Sequence, residues 1–71
     1  MLVMTEVGDR LKRLRRRAML TQEQLAAKSG VGITTINRIE TGTVEDPHFS
    51  TLRKLAAALE VEPAELVRDY P

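Results

Sequence analysis

The sequence predicts an all-α fold, a single compact domain of five short helices. Three observations predict it. Apolar residues recur at helical spacing from Glu6 to Arg68. The apolar/polar alternation of a strand is absent. A chain of 71 residues has room for one core only, and that core buries about 60% of the surface the unfolded chain exposes. Composition removes other classes. There is no cysteine and one histidine, His48, so neither a disulfide framework nor a metal site is expected. The aromatics are Phe49 and Tyr70, too few for a platform that stacks single strands. No apolar run approaches the roughly 18 residues of a membrane span. The opening Met1-Leu2-Val3-Met4 is too short for a signal peptide, so no membrane association and a cytoplasmic location are expected.

The first helix runs from about Thr5 to Arg17. Val7, Leu11, Leu14 and Ala18 recur at spacings of four, three and four, which is one helical face. Lys12, Arg13, Arg16 and Arg17 fall on the other side, while Arg15 projects with Leu11 toward the core. The second helix opens on Thr21-Gln22-Glu23-Gln24, a capping box with Thr21 as N-cap and Gln24 three positions on. Leu25 and Ala26 face inward, and Gly30 suits a left-handed C-terminal turn. The third helix begins at Gly32 or Ile33 and stops at Gly42. Ile36, Ile39 and Glu40 share one face, Thr34, Arg38 and Thr41 lie opposite, and Asn37 sits on the flank. After a loop containing Pro47, Ser50 caps a fourth helix with Leu52, Leu55, Ala56 and Leu59 inward. The fifth is one or two turns. It starts at Pro63, where a missing N–H costs nothing, and carries Leu66 and Val67. The domain spans 1–71, with its core at about 6–68 and tails at 1–4 and 69–71, the last expected to fray.

Net charge is only +1, but its distribution is uneven. Residues 1–42 hold eight Lys/Arg against Glu6, Asp9, Glu23 and Glu40, and residues 43–71 hold three against six acids. A basic front half predicts a face for a polyanion.

Residues 21–42 combine a short helix, a tight glycine-containing turn and a second helix with a polar outer face, the helix-turn-helix pattern. Ala26 supplies the small residue where the helices cross, Gly30 the positive φ of the turn, and Ile36 and Ile39 the anchor on the core. Leu20-Thr21-Gln22-Glu23-Gln24-Leu25-Ala26, Gly30-Val31 and Thr35 to Gly42 resemble the XRE family of phage Cro/CI-type repressors. Leu55-Ala56-Ala57-Ala58-Leu59 followed by Val61 extends the resemblance to roughly residues 7–67. It implies a lambda-repressor-like five-helix domain that binds double-stranded operator DNA, usually as a homodimer, with no cofactor and no catalysis. Gln22 is similar to the family's glutamine that bonds a phosphate and braces a base contact. Thr34 and Arg38 stand where members read bases, and Arg38 suits a bidentate contact to guanine. Asn37 contacts adenine or a phosphate, and Thr35 bonds a phosphate or caps the helix. Ile33 matches a further base-reading position and would touch a thymine methyl, whereas the helical wheel places it beside the core. Thr43 reaches a phosphate through its backbone N–H or its hydroxyl.

Arg15 and Glu40 both project from core faces, so periodicity alone predicts that they pair, and the family has such a link. Three positions depart from the family: Met19 stands where a glycine usually ends the first helix, Gly32 replaces a Ser or Thr cap, and the loop Val44-Glu45-Asp46-Pro47-His48 is acidic. That loop lies away from the duplex or meets a basic partner. Met1–Met4 is either a disordered start or a strip that docks on a second subunit. A dimer would place two recognition helices about 34 Å apart, with the loop after the third helix and Leu66 and Val67 as its interface. The expected function is a cytoplasmic, nucleoid-associated transcriptional regulator, most simply a repressor at a palindromic operator. The alternative is an antitoxin or adaptor that uses the fold for protein–protein contact.

Overall fold

A computed structural model describes residues 5–44 and 47–67. The expectations for Met1–Met4, for Glu45 and Asp46 and for the C-terminal tail fall outside these residues. Within them the elements are α1 (Thr5–Arg17), α2 (Gln22–Ser29), α3 (Ile33–Glu40), α4 (Phe49–Leu59) and a 3-10 turn (Pro63–Glu65). The chain is all-α over the described residues, with four helices and a 3-10 turn where the sequence predicts five helices. The last element stays a single turn: the Leu66 N–H closes on the Pro63 carbonyl at 3.0 Å, and the Leu66 side chain is fully buried. That burial also removes Leu66 from the expected subunit interface, leaving Val67 half-buried.

Side chains from all four helices, joined by Val31 and by Leu66 just after the 3-10 turn, meet in one core. Leu11, Leu25, Ile36, Ile39, Leu55 and Leu66 are its fully buried large residues. Helix α1 packs on α3, α2 on both α3 and α4, and α4 on the 3-10 turn. Where α1 crosses the end of α3 the contact is backbone to backbone, at Gly8, a residue that neither periodicity nor motif had singled out. Two further expectations change. Ala18 is exposed, because α1 ends at Arg17 before the apolar face reaches it. Ser50 lies inside the first turn of α4, since the N-cap is His48, whose carbonyl accepts the Leu52 N–H at 3.0 Å.

The end of α1 shows how the chain manages without its expected glycine. Met19 adopts φ 60°, the left-handed region. Its N–H reaches the Arg16 carbonyl at 2.9 Å and the Leu20 N–H reaches that of Arg15 at 3.1 Å, the bond pattern of a Schellman cap. An L side chain pays a conformational cost there, and Met19, 87% exposed, recovers almost none of it by packing. Met19→Gly removes that cost but gives the unfolded chain more freedom. The substitution is therefore expected to raise stability by about 0.5–1 kcal/mol, read as a rise of a few degrees in thermal midpoint, roughly 4–8 °C per kcal/mol at this size. A lowered midpoint would show that the methionine side chain holds something the fold needs.

Candidate nucleic-acid interface

The turn between α2 and α3 is built as the sequence predicts. The Thr21 hydroxyl accepts from the Gln24 N–H at 3.0 Å, and the Gln24 carboxamide oxygen accepts from the Thr21 N–H at 2.8 Å. Gly30 sits at φ 78° with its N–H on the Ala26 carbonyl at 2.9 Å, a geometry that ends α2 and starts the reversal. Val31 is buried behind it. Helix α3 then follows from Gly32, which caps through its extended backbone and contributes no side-chain bond. Ile36 and Ile39 pin α3 to the core, so its other faces turn outward.

Among the expected site residues, Ile33, Thr34, Thr35, Asn37 and Arg38 all come to the exposed side of α3. Ile33 is 41% exposed, which decides between the helical wheel and the resemblance in favour of an outward position. Its place at the first residue of the helix, beyond the turn that meets the core, is the reason. Thr43 differs from expectation. Its N–H is already bonded to the Arg38 carbonyl at 2.9 Å, so the backbone route to a phosphate is closed. Its hydroxyl lies 3.0 Å from that of Thr41.

Behind this face runs a chain of charged and polar side chains. Arg15 grips Glu40 with two nitrogens, Nε at 2.7 Å from Oε2 and Nη2 at 3.0 Å from Oε1. Its remaining fork nitrogen, Nη1, donates to the Leu20 carbonyl at 2.9 Å, which ties α1 to the segment that leads into α2. Gln22 Nε2 donates to Glu40 Oε1 at 3.0 Å. The Gln22 oxygen is thereby turned outward, where Asn37 Nδ2 approaches it at 3.5 Å, the outer limit of a hydrogen bond. The sequence predicts the pair Arg15–Glu40 as a purely structural element; the structure adds Gln22 as a third member that leads from it to the surface. Burial pushes the Glu40 carboxyl up. The hydrogen bonds from Arg15 and Gln22, with the charges of Arg15 and Lys12, outweigh burial and hold it below the usual glutamate range. The hydrogen bond to Glu40 likewise raises Arg15 against the opposing effect of burial.

Among the described residues, no cluster of acids and His48 could hold a metal ion, and no helix is long and apolar enough to cross a membrane. What the site can do is present donors and acceptors on a rigid helix, with a basic front half around them.

Comparison with known proteins supports this. The family model described as helix-turn-helix matches residues 11–66. The chain is 45% identical to the HTH-type transcriptional regulator RghRB of Bacillus subtilis, over 82% of this chain and 42% of that protein. It is 43% identical to the HTH-type transcriptional repressor RghR of the same organism, over 82% of this chain and 43% of that protein. The chain thus spans less than half the length of these relatives. Its fold is similar to the crystal structure of the restriction-modification controller protein C.AhdI from Aeromonas hydrophila, with a TM-score of 0.84, 36% identity, and coverage of 90% of this chain and 96% of that one.

Proposed function

For this chain, which belongs to the helix-turn-helix family, we propose sequence-specific binding of double-stranded DNA as a transcriptional repressor, with α3 laid in the major groove. The observation that carries the reading is the exposed face of α3. Thr34, Asn37 and Arg38 are exposed on a helix pinned by Ile36 and Ile39, with the Gln22 amide oriented by Glu40 beside them. A guanidinium in this position suits guanine O6 and N7, and the Asn37 amide suits adenine or a phosphate. Ile33 offers an apolar contact for a thymine methyl. Thr35 and the Thr43 hydroxyl serve phosphates. Repression follows from occupancy, and the name of the relative RghR supports it.

One helix covers too few base pairs to choose a genomic site, so the active form is a homodimer on a palindrome, its helices about 34 Å apart. Phe49, 74% exposed, and Val67 line a groove of about 300 Å³ with Leu52, Arg53, Pro63 and Ala64. An isologous contact there would seat each copy's phenyl ring against the other.

Selection of bound duplexes from a random library, run with the wild type and Arg38→Ala in parallel, tests the reading. The wild type is expected to enrich a palindrome. The variant should lose about 1–3 kcal/mol of discrimination at the position that Arg38 reads, with the rest of the site kept. No enrichment by folded wild type, at low salt as well as physiological salt, would overturn the assignment.

A further inference from the structure

The hydrogen bonds behind α3 have a direction as well as a strength. They start at Arg15, a guanidinium that can only donate and that bonds both Glu40 oxygens. Glu40, a carboxylate in that grip, can only accept. Gln22 must therefore face it with nitrogen, and Nε2 stands 3.0 Å from Glu40 Oε1. A carboxamide has two unlike ends, so the Gln22 oxygen is left toward Asn37, whose Nδ2 lies 3.5 Å away. A bond of that length is weak by itself, but a reversed Asn37 amide would set oxygen against oxygen. Successive bonds in such a chain also polarise one another. Asn37 is exposed on the outer side of α3, beside Arg38. An unbraced asparagine there would turn either end to whatever it meets.

Given α3 as the DNA-reading helix, a reading on which this one rests, we infer that Arg15 and Glu40, acting through Gln22, set the polarity of the Asn37 amide and make adenine the base it reads. With one Nδ2 hydrogen committed to Gln22, Asn37 presents its oxygen and its second N–H. Adenine offers the matching pair in the major groove, a donor at N6 and an acceptor at N7. Guanine offers two acceptors, so its O6 would meet the Asn37 oxygen. Thymine offers an acceptor beside its methyl, and cytosine a donor with no acceptor for the second N–H. A phosphate offers acceptors only. Arg15 and Glu40 are thus positioning residues for base choice, neither of which needs to touch the duplex.

Selection of duplexes from a random library tests this with the wild type, Asn37→Ala, Gln22→Met and the pair Arg15→Met/Glu40→Leu, each checked for fold by circular dichroism. The column altered by Asn37→Ala is the one that Asn37 reads, and the wild type should show adenine there. Gln22→Met keeps the side-chain length without the carboxamide. It should cut the adenine-over-guanine ratio in that column about fivefold or more, the low end of one bidentate contact. The double variant keeps Gln22 and strands no buried charge, and it should relax the same column. Gln22→Met, at a half-buried position, suffices should the double variant fail to fold. The ratio compares bases within one column, so a general loss of affinity does not mimic the effect. An unchanged ratio in either folded variant, a base other than adenine in the wild-type column, or no column altered by Asn37→Ala would overturn the inference alone. Side-chain amide NMR of the free protein needs no DNA. There Gln22→Met should shift the Asn37 NH2 signals, and signals that stay in place would overturn the link between the two amides. No enrichment by the wild type with the amides linked would instead overturn the DNA reading, and the adenine assignment with it.

Discussion

Arg15→Ala is expected to cost about 3–5 kcal/mol of folding stability, a large share of what a domain this size possesses. The cost comes less from the lost contact than from what remains. The Glu40 side chain is 1% exposed, and without Arg15 it is a carboxylate deep in the fold with Gln22 as its remaining side-chain donor among the described residues. The Leu20 carbonyl loses its partner as well. Urea unfolding of the variant measures the loss. Replacing both members with apolar residues, as in Arg15→Met with Glu40→Leu, should recover much of the stability, since no buried charge is stranded. The double variant should still bind DNA less selectively, because Gln22 Nε2 then has no carboxylate to orient it. A single Arg15→Ala loss below about 1 kcal/mol, the scale of exposed ion pairs, would show that the pair is hydrated in solution.

The same pair dictates an acid limb. Glu40 holds its proton less tightly in the folded chain than in the unfolded one. Its contribution to stability is therefore complete above the unfolded glutamate value of about 4.3 and is lost as pH falls through the lower folded value. Arg15 moves the other way, and its contribution is complete at every pH below its unfolded value, so it adds nothing to the acid limb. Glu40→Gln should flatten the pH dependence of the unfolding free energy below about pH 4.3 while leaving the neutral plateau lower.

Local signals carried most of the fold into the sequence. The bounds of α1, the Thr21 capping box and the Gly30 turn each rest on residues within a few positions of one another, so spacing alone makes them legible. The Arg15–Glu40 pair spans 25 positions, yet it was legible too, because each charge breaks an otherwise apolar face and only a partner makes that tolerable. What escaped depends on geometry between elements. Whether Pro63 opens a helix or a 3-10 turn is decided by where Leu66 must enter the core. Whether Ile33 points inward depends on where α3 first meets α1 and α2. The Thr43 N–H is consumed by Arg38, which no spacing rule reveals. Gln22 was legible as a surface residue; its bond to Glu40 was not. Gly8 is the clearest case, since a lone glycine in a helix resembles a tolerated weakness.

Gly8→Ala therefore separates the two levels of description. By helix propensity alone it should stabilise α1, since alanine is favoured over glycine by about 1 kcal/mol in a helix interior. The packing says the reverse. A methyl on Gly8 would collide with the backbone carbonyl of Ile39 and lie 3.0 Å from the Glu40 carbonyl oxygen and 3.1 Å from its Cα. These are backbone atoms, which cannot rotate away as a side-chain tip would. Helix α1 must instead retreat from α3, and Arg15, two turns along the same edge, retreats with it from its 2.7 Å contact with Glu40. Overpacking of this kind costs typically about 1–3 kcal/mol, occasionally more, and the stretched ion pair puts Gly8→Ala at or above the top of that range. The coupling gives the test its resolution. In a double-mutant cycle with Arg15→Ala, Gly8→Ala should cost less once the ion pair is gone, leaving an interaction energy of about 0.5–3 kcal/mol. Strict additivity, or a variant more stable than the wild type, would mean that α1 does not rest on the end of α3 through this glycine. The Arg15–Glu40–Gln22 chain would then have to be held in place by something other than the helix crossing.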